Sequence, residues 1–200
     1  MFLLLACTHL VPPVTLPISQ NSVGLVLVPV TTQDSQLPWI LDTGAGVSVL
    51  TPQTAQLFGI TEARTHTVEA RAVGGNLEIE LIHLPSLSIS NYSCTHLRTA
   101  IVDLSAVEAR MGSTIYGILG RSFFECADII LDLKQKTLTL SSPGTLKKTM
   151  SSPPVHFQLK GGAIQIHAVL AGIPVHANID LGSTSSMTNF STALEASITP

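Results

Sequence analysis

The sequence predicts a mainly β protein: a small, closed β domain with one or two short helices, followed by an incomplete second copy of the same unit. Three observations lead there. Val, Ile, Leu and Thr are abundant while long Glu/Lys/Ala runs are missing, a composition that fits strands better than helices. Short strand-like stretches alternate with turn residues at close spacing along residues 22–141, the pattern of closed all-β domains. A segment near residue 42 recurs near residue 180, as internal duplication would produce.

The 200 residues are 45% hydrophobic and only 12% charged, enough for one well-buried domain and part of a second. The ten Lys and Arg residues are scattered, so no nucleic-acid partner is expected. No 18-residue apolar stretch occurs that would predict a membrane-spanning helix. At the N-terminus, Leu4-Leu5-Ala6-Cys7 resembles a bacterial lipobox, in which Cys7 would carry lipid and anchor the chain to a membrane. It lacks a preceding Lys or Arg, and its apolar run is short. Residues 1–21 are therefore read as an export or lipoprotein-like segment and tether. Cys94 and Cys126 are then an even pair, open either to a disulfide or to two separate thiols.

Along 22–141, GLVLVPV (24–30) and WILD (39–42) read as strands. TPQTAQLFGI (51–60) carries a Thr cap, Pro at the first helical position and a closing Gly, so it predicts a short helix. Residues 66–84 predict a hairpin bent at Gly74-Gly75, and 127–140 a second hairpin. Ser, Pro, Gly and Lys crowd 142–154, which reads as a linker. From residue 155 the strand pattern resumes.

With Asp180 placed under Asp42, an offset of 138, six of the nineteen residues in 42–60 are repeated in 180–198. They are Asp42/Asp180, Gly44/Gly182, Ser48/Ser186, Thr54/Thr192, Ala55/Ala193 and Ile60/Ile198. The second unit, 155–200, contains no match to the later hairpins of the first.

The stretch WILDTGAGVSVL (39–50) places a carboxylate between apolar residues at a glycine corner, and an unpaired buried carboxylate is costly. Asp42-Thr43-Gly44-Ala45, followed about 75 residues later by Gly117-Ile118-Leu119-Gly120-Arg121, resembles the retropepsin-like aspartic proteases, and the bacterial branch most closely. The resemblance implies an acid-protease barrel over 22–141 and an endopeptidase that activates water between two carboxyl groups. Two carboxyls a few ångströms apart cannot both ionise, so their proton affinities split. It further implies that Asp42 is catalytic, that Thr43, Gly44 and Ala45 form the active-site loop, and that the Thr43 hydroxyl locks the partner loop. Leu119 and Gly120 would form the supporting turn. The hairpin around Gly74 and Gly75 would be a flap closing over an extended peptide substrate.

One unit supplies one Asp, so the second carboxylate comes either from Asp180 in the same chain or from Asp42 of a homodimeric partner. Leu181 stands where the family carries Thr, which leaves open that Asp180 merely caps a turn in a scaffolding repeat. No cofactor is implied, since water is the nucleophile. The seven dispersed histidines show no metal-ligand spacing, and no metal is expected. Ser48 and Ser122 have no His/Asp companion in the pattern of a serine hydrolase. With Cys7 lipidated, the enzyme would work on the periplasmic side of a bacterial envelope; otherwise it would be cytoplasmic. The alternative function is a non-catalytic module that binds peptides or oligomerises on an acid-protease fold.

Overall fold

The computed structural model describes residues 12–32, 35–60, 66–72, 75–146, 153–160 and 162–198. Cys7, Gly74 and most of the leader segment lie outside them.

Strands β3 (Val26–Thr31) and β4 (Gln36–Leu41) form an antiparallel pair that ends at the Asp42 corner. Beyond it come β5 (Ser48–Leu50) and helix α1 (Pro52–Leu57). The hairpin β6 (His66–Ala72) and β7 (Gly75–Ile89) leads into β8 (Tyr92–Ile101), helix α2 (Ser105–Met111) and β9 (Gly117–Leu119). Together with β2 (Ser19–Gln20) these strands form an eight-stranded sheet in the order β2-β3-β4-β9-β5-β8-β7-β6. Thr31 of β3 also pairs with Ser88 of β7, which closes six of the strands into a barrel.

The barrel interior follows from alternation along the strands. Val26, Val28 and Val30 of β3 and Trp39 and Leu41 of β4 are buried, packed with Leu50, Leu84, Leu97 and Leu119. Ile40 joins a smaller outer cluster with Leu25, Leu104 and Ile115. The Trp39 indole lies against Gly117, where a Cβ would fall 2.6 Å from its ring carbons. Helix α1 starts as its sequence dictates: Thr51 Oγ1 accepts from Thr54 N at 3.2 Å and Pro52 occupies the first turn.

Three expectations need correction. Residues 14–20 are not tether. Val14–Pro17 (β1) pairs antiparallel with β11 (Thr137–Ser141), itself paired with β10 (Asp128–Asp132). Pro13 and Pro17 bracket this edge strand without interrupting its pairing, and burial of Leu16 and Ile18 holds it to the barrel. Gly75, expected at the bend of the 66–84 hairpin, already pairs with Ala72 as the first residue of β7. A further single-turn helix, α3 (Arg121–Phe124), follows the Leu119-Gly120 turn. Cys94 and Cys126 form a disulfide between β8 and the loop after α3.

The second unit begins with a three-stranded antiparallel sheet, β12 (Phe157–Lys160), β13 (Ala163–Leu170) and β14 (Ile173–Ile179), and ends with helix α4 (Phe190–Glu195). Local geometry recurs at the offset of 138. Asn189 Oδ1 accepts from Thr192 N at 2.8 Å, with cap angles φ −74° and ψ 160° against −74° and 157° at Thr51. The Ile60 N to Ala55 O bond is repeated by Ile198 N to Ala193 O. Gly24 and Gly162 turn at φ +88° and +91°. Burial does not recur: Ser48 is fully buried, whereas Ser186 is exposed. The face of the second sheet that matches the barrel interior, including Phe157, Leu159 and Ile179, is open to solvent. No helix among the described residues is long and apolar enough to cross a membrane.

Candidate active site

Asp42 follows directly from β4, where its N–H donates to Leu119 O at 3.0 Å. The chain then turns so that Asp42 Oδ1 accepts from Gly44 N at 2.7 Å and from Ala45 N at 3.1 Å. This is an Asx-type turn, in which the side chain replaces a backbone acceptor.

The corner is clamped from below. Arg121 N donates to Ala45 O at 2.8 Å, and Gly120 N donates to Ser48 Oγ at 3.1 Å. Ser48 N donates to Ser122 Oγ at 2.9 Å, and the Ser122 hydroxyl donates to Ser48 Oγ at 3.0 Å. Gly120 has no room for a side chain: a Cβ there would fall 2.9 Å from Ala45 O and closer still to Val47 O. The Leu119-Gly120 turn therefore packs directly beneath the Asp42 loop. Ser48 and Ser122 belong to the same support, a role that the sequence reading missed because the two residues lie 74 positions apart. The Arg121 side chain reaches Gly46 O at 3.4 Å and pairs with Glu125 at 3.7 Å, so it flanks the corner from the surface.

Thr43 ties the second unit to this corner by two hydrogen bonds. Thr43 Oγ1 donates to Ile179 O at 2.7 Å and accepts from Leu181 N at 3.0 Å. Both partners are main-chain atoms, so Leu181 does not prevent the contact. The Leu181 side chain instead packs, partly buried, on the first unit's core.

Asp180 Oδ1 accepts from Gly182 N at 2.9 Å, as Asp42 does from Gly44. Each glycine faces the opposite carboxyl group. A Cβ on Gly44 would lie 2.6 Å from Asp180 Cγ, and one on Gly182 would collide with the Asp42 carboxyl. The two carboxyl groups are thus close neighbours across the junction. Burial holds Asp42 above its ordinary 3.8 as the main cause, and the charge and hydrogen bond of Asp180 add to it. The Gly44 and Ala45 N–H groups pull the other way.

Of the remaining candidates, Gly75 opens β7. Asp103 accepts from Ser105 N as a local turn cap, and Asp128 accepts from Leu146 N, 18 residues further on. Among the described residues no three His, Cys, Asp or Glu side chains converge to hold a metal ion.

Residues 28–123 match the aspartyl protease family model. Among solved structures, the chain is similar to a retropepsin-like aspartic protease from Rickettsia conorii at 18% identity and a TM-score of 0.49, covering 66% of this chain and 92% of that one. No curated protein matches. The family match, the Asp-Thr-Gly corner and the closed six-stranded barrel agree in making residues 28–123 similar to the retropepsin-like aspartyl proteases.

Proposed function

We propose that the protein is an aspartic endopeptidase whose dyad, Asp42 and Asp180, is assembled within one chain from two copies of one ancestral unit. The observation that carries this reading is the meeting of the two carboxyl groups, each seated on the other's glycine, where Thr43 bridges the two loops. Such a pair shares a proton, so one carboxylate takes a proton from the attacking water while the protonated partner polarises the peptide carbonyl. The tetrahedral intermediate then collapses as the leaving nitrogen is protonated. An extended peptide would bind by strand addition beneath the β6–β7 hairpin. Supporting the duplication are the matching cap angles and the paired Gly24/Gly162 turns.

The test is cleavage of a peptide library between pH 3 and 8 by the wild type, Asp42→Asn and Asp180→Asn. Loss of roughly 10²–10⁴-fold in both variants is expected, the scale of acid–base catalysis by one group. Loss in Asp42→Asn alone would assign the second carboxylate to a homodimeric partner. No cleavage by the wild type at any pH would favour a binding module.

Export to a bacterial envelope with a lipid on Cys7 is part of the same proposal. It is supported by the Cys94–Cys126 disulfide, since such bonds persist in oxidising compartments. A Cys7→Ala variant that still partitions with membranes would overturn the lipid anchor.

A further inference from the structure

The second unit's sheet has two unlike faces. Strand alternation puts Phe157, Leu159, Ile164, Ile166, Val175 and Ile179 on one, and Gln165, His167, His176 and Asn178 on the other. On the polar face, His167 lies directly opposite His176, with ring centroids 4.6 Å apart and planes inclined by 51°.

The hairpin turns through Ala171 and Gly172, both at positive φ (48° and 87°), as a two-residue I′ turn requires. Counting back from the closing pair Leu170–Ile173, His167–His176 falls at a non-hydrogen-bonded position, where cross-strand side chains approach most closely. The neighbouring pair is tied by Gln165 Nε2 donating to Asn178 Oδ1 at 3.2 Å. On its other flank, continuing the β12–β13 register one residue beyond Phe157–Ile166 sets His156 against His167. His156, His167 and His176 all border one depression of about 150 Å³. All three residues are exposed.

We propose that His167 and His176 form a two-histidine clip for a first-row divalent transition ion, Cu²⁺, Ni²⁺ or Zn²⁺. Metal–imidazole bonds are about 2.0–2.1 Å long, so two nitrogens on one ion lie roughly 3 Å apart. Rings with centroids at 4.6 Å reach that spacing by side-chain rotation. Because no three ligating side chains already converge among the described residues, the free protein presents two imidazoles. His156 and water complete the shell on binding. Imidazole selects these ions over Mg²⁺ or Ca²⁺, which take oxygen ligands.

The clip lies four residues before Asp180, about 13 Å along a strand, and does not depend on the peptidase reading. The test is calorimetric titration of the full chain with Cu²⁺, Ni²⁺, Zn²⁺ and Mg²⁺, alongside His167→Gln, His176→Gln and His156→Gln. Binding of the three transition ions, strongest for Cu²⁺, is expected, and either clip variant should weaken it roughly tenfold or more, with a smaller loss in His156→Gln. The Cu²⁺ paramagnetic resonance spectrum should show at least two nitrogen ligands in the wild type and one fewer in each clip variant. Unchanged affinity in His176→Gln, or equal binding of Mg²⁺, would overturn the proposal. The variants sit at exposed positions, and their circular dichroism should match the wild type.

Discussion

At Asp42, burial and the neighbouring Asp180 oppose ionisation, while two N–H groups favour it; burial is the largest effect. The folded-state proton affinity therefore lies above that of the unfolded chain, near 3.8. Stability from this group is fully present below that value and is lost as pH rises through the folded-state value. Asp42→Asn, which holds no charge, should accordingly unfold at a higher temperature than the wild type at pH 7, with the gap closing toward pH 4. A calorimetric scan at both pH values checks it. Gly44→Ala should leave the barrel intact but push the Asp180 carboxyl away. Overpacking of this kind costs about 1–3 kcal/mol, and any peptide cleavage should fall with it. The Asp42, Thr43 and Gly44 corner was legible because its chemistry is local, spread over three consecutive residues. Ser48 and Ser122 were not, because each hydroxyl is explained only by a partner that the fold brings from 74 residues away.

Among elements, the most constrained is the turn from β9 into α3. It fills the space under the Asp42 corner with a backbone that tolerates no Cβ at Gly120. Ser122→Ala removes the acceptor for Ser48 N in a buried setting, a loss of about 1–3 kcal/mol that chemical denaturation should register. The disulfide fixes the end of the same element to β8 across a separation of 32 residues. Loop-closure entropy gives such a link about 3–4 kcal/mol, so Cys94→Ser with Cys126→Ser should lower Tm by on the order of 10 °C. Helix α1 could be read from its Thr cap and Pro because capping is decided within one turn. Strand β1 could not. Its proline-rich composition argues for a tether, and only pairing with β11, more than 120 residues later, makes it a strand.

Across the whole molecule, the two units are joined at the site by Thr43. Thr43→Val deletes both of its hydrogen bonds, about 1–3 kcal/mol together. Amide exchange should then rise in β14 and the loop after it while the barrel strands keep their protection. Thr43→Ser should restore the wild-type pattern. Six shared residues were legible at the offset of 138, and the cap angles at Thr51 and Asn189 agree, yet the unequal burial of the two segments was not legible. Identity at Ser48 and Ser186 says nothing about whether a supporting turn lies beneath each one.

The one-sided character of that junction reaches beyond this chain. Thr43 supplies the hydroxyl, and the opposite loop answers only with the carbonyl of Ile179 and the amide of Leu181, groups that nearly every residue type carries. Natural selection on the junction therefore acts on one codon instead of two. Among orthologues, position 43 should stay Thr or Ser, while position 181 drifts among residues that can rest on the barrel's core.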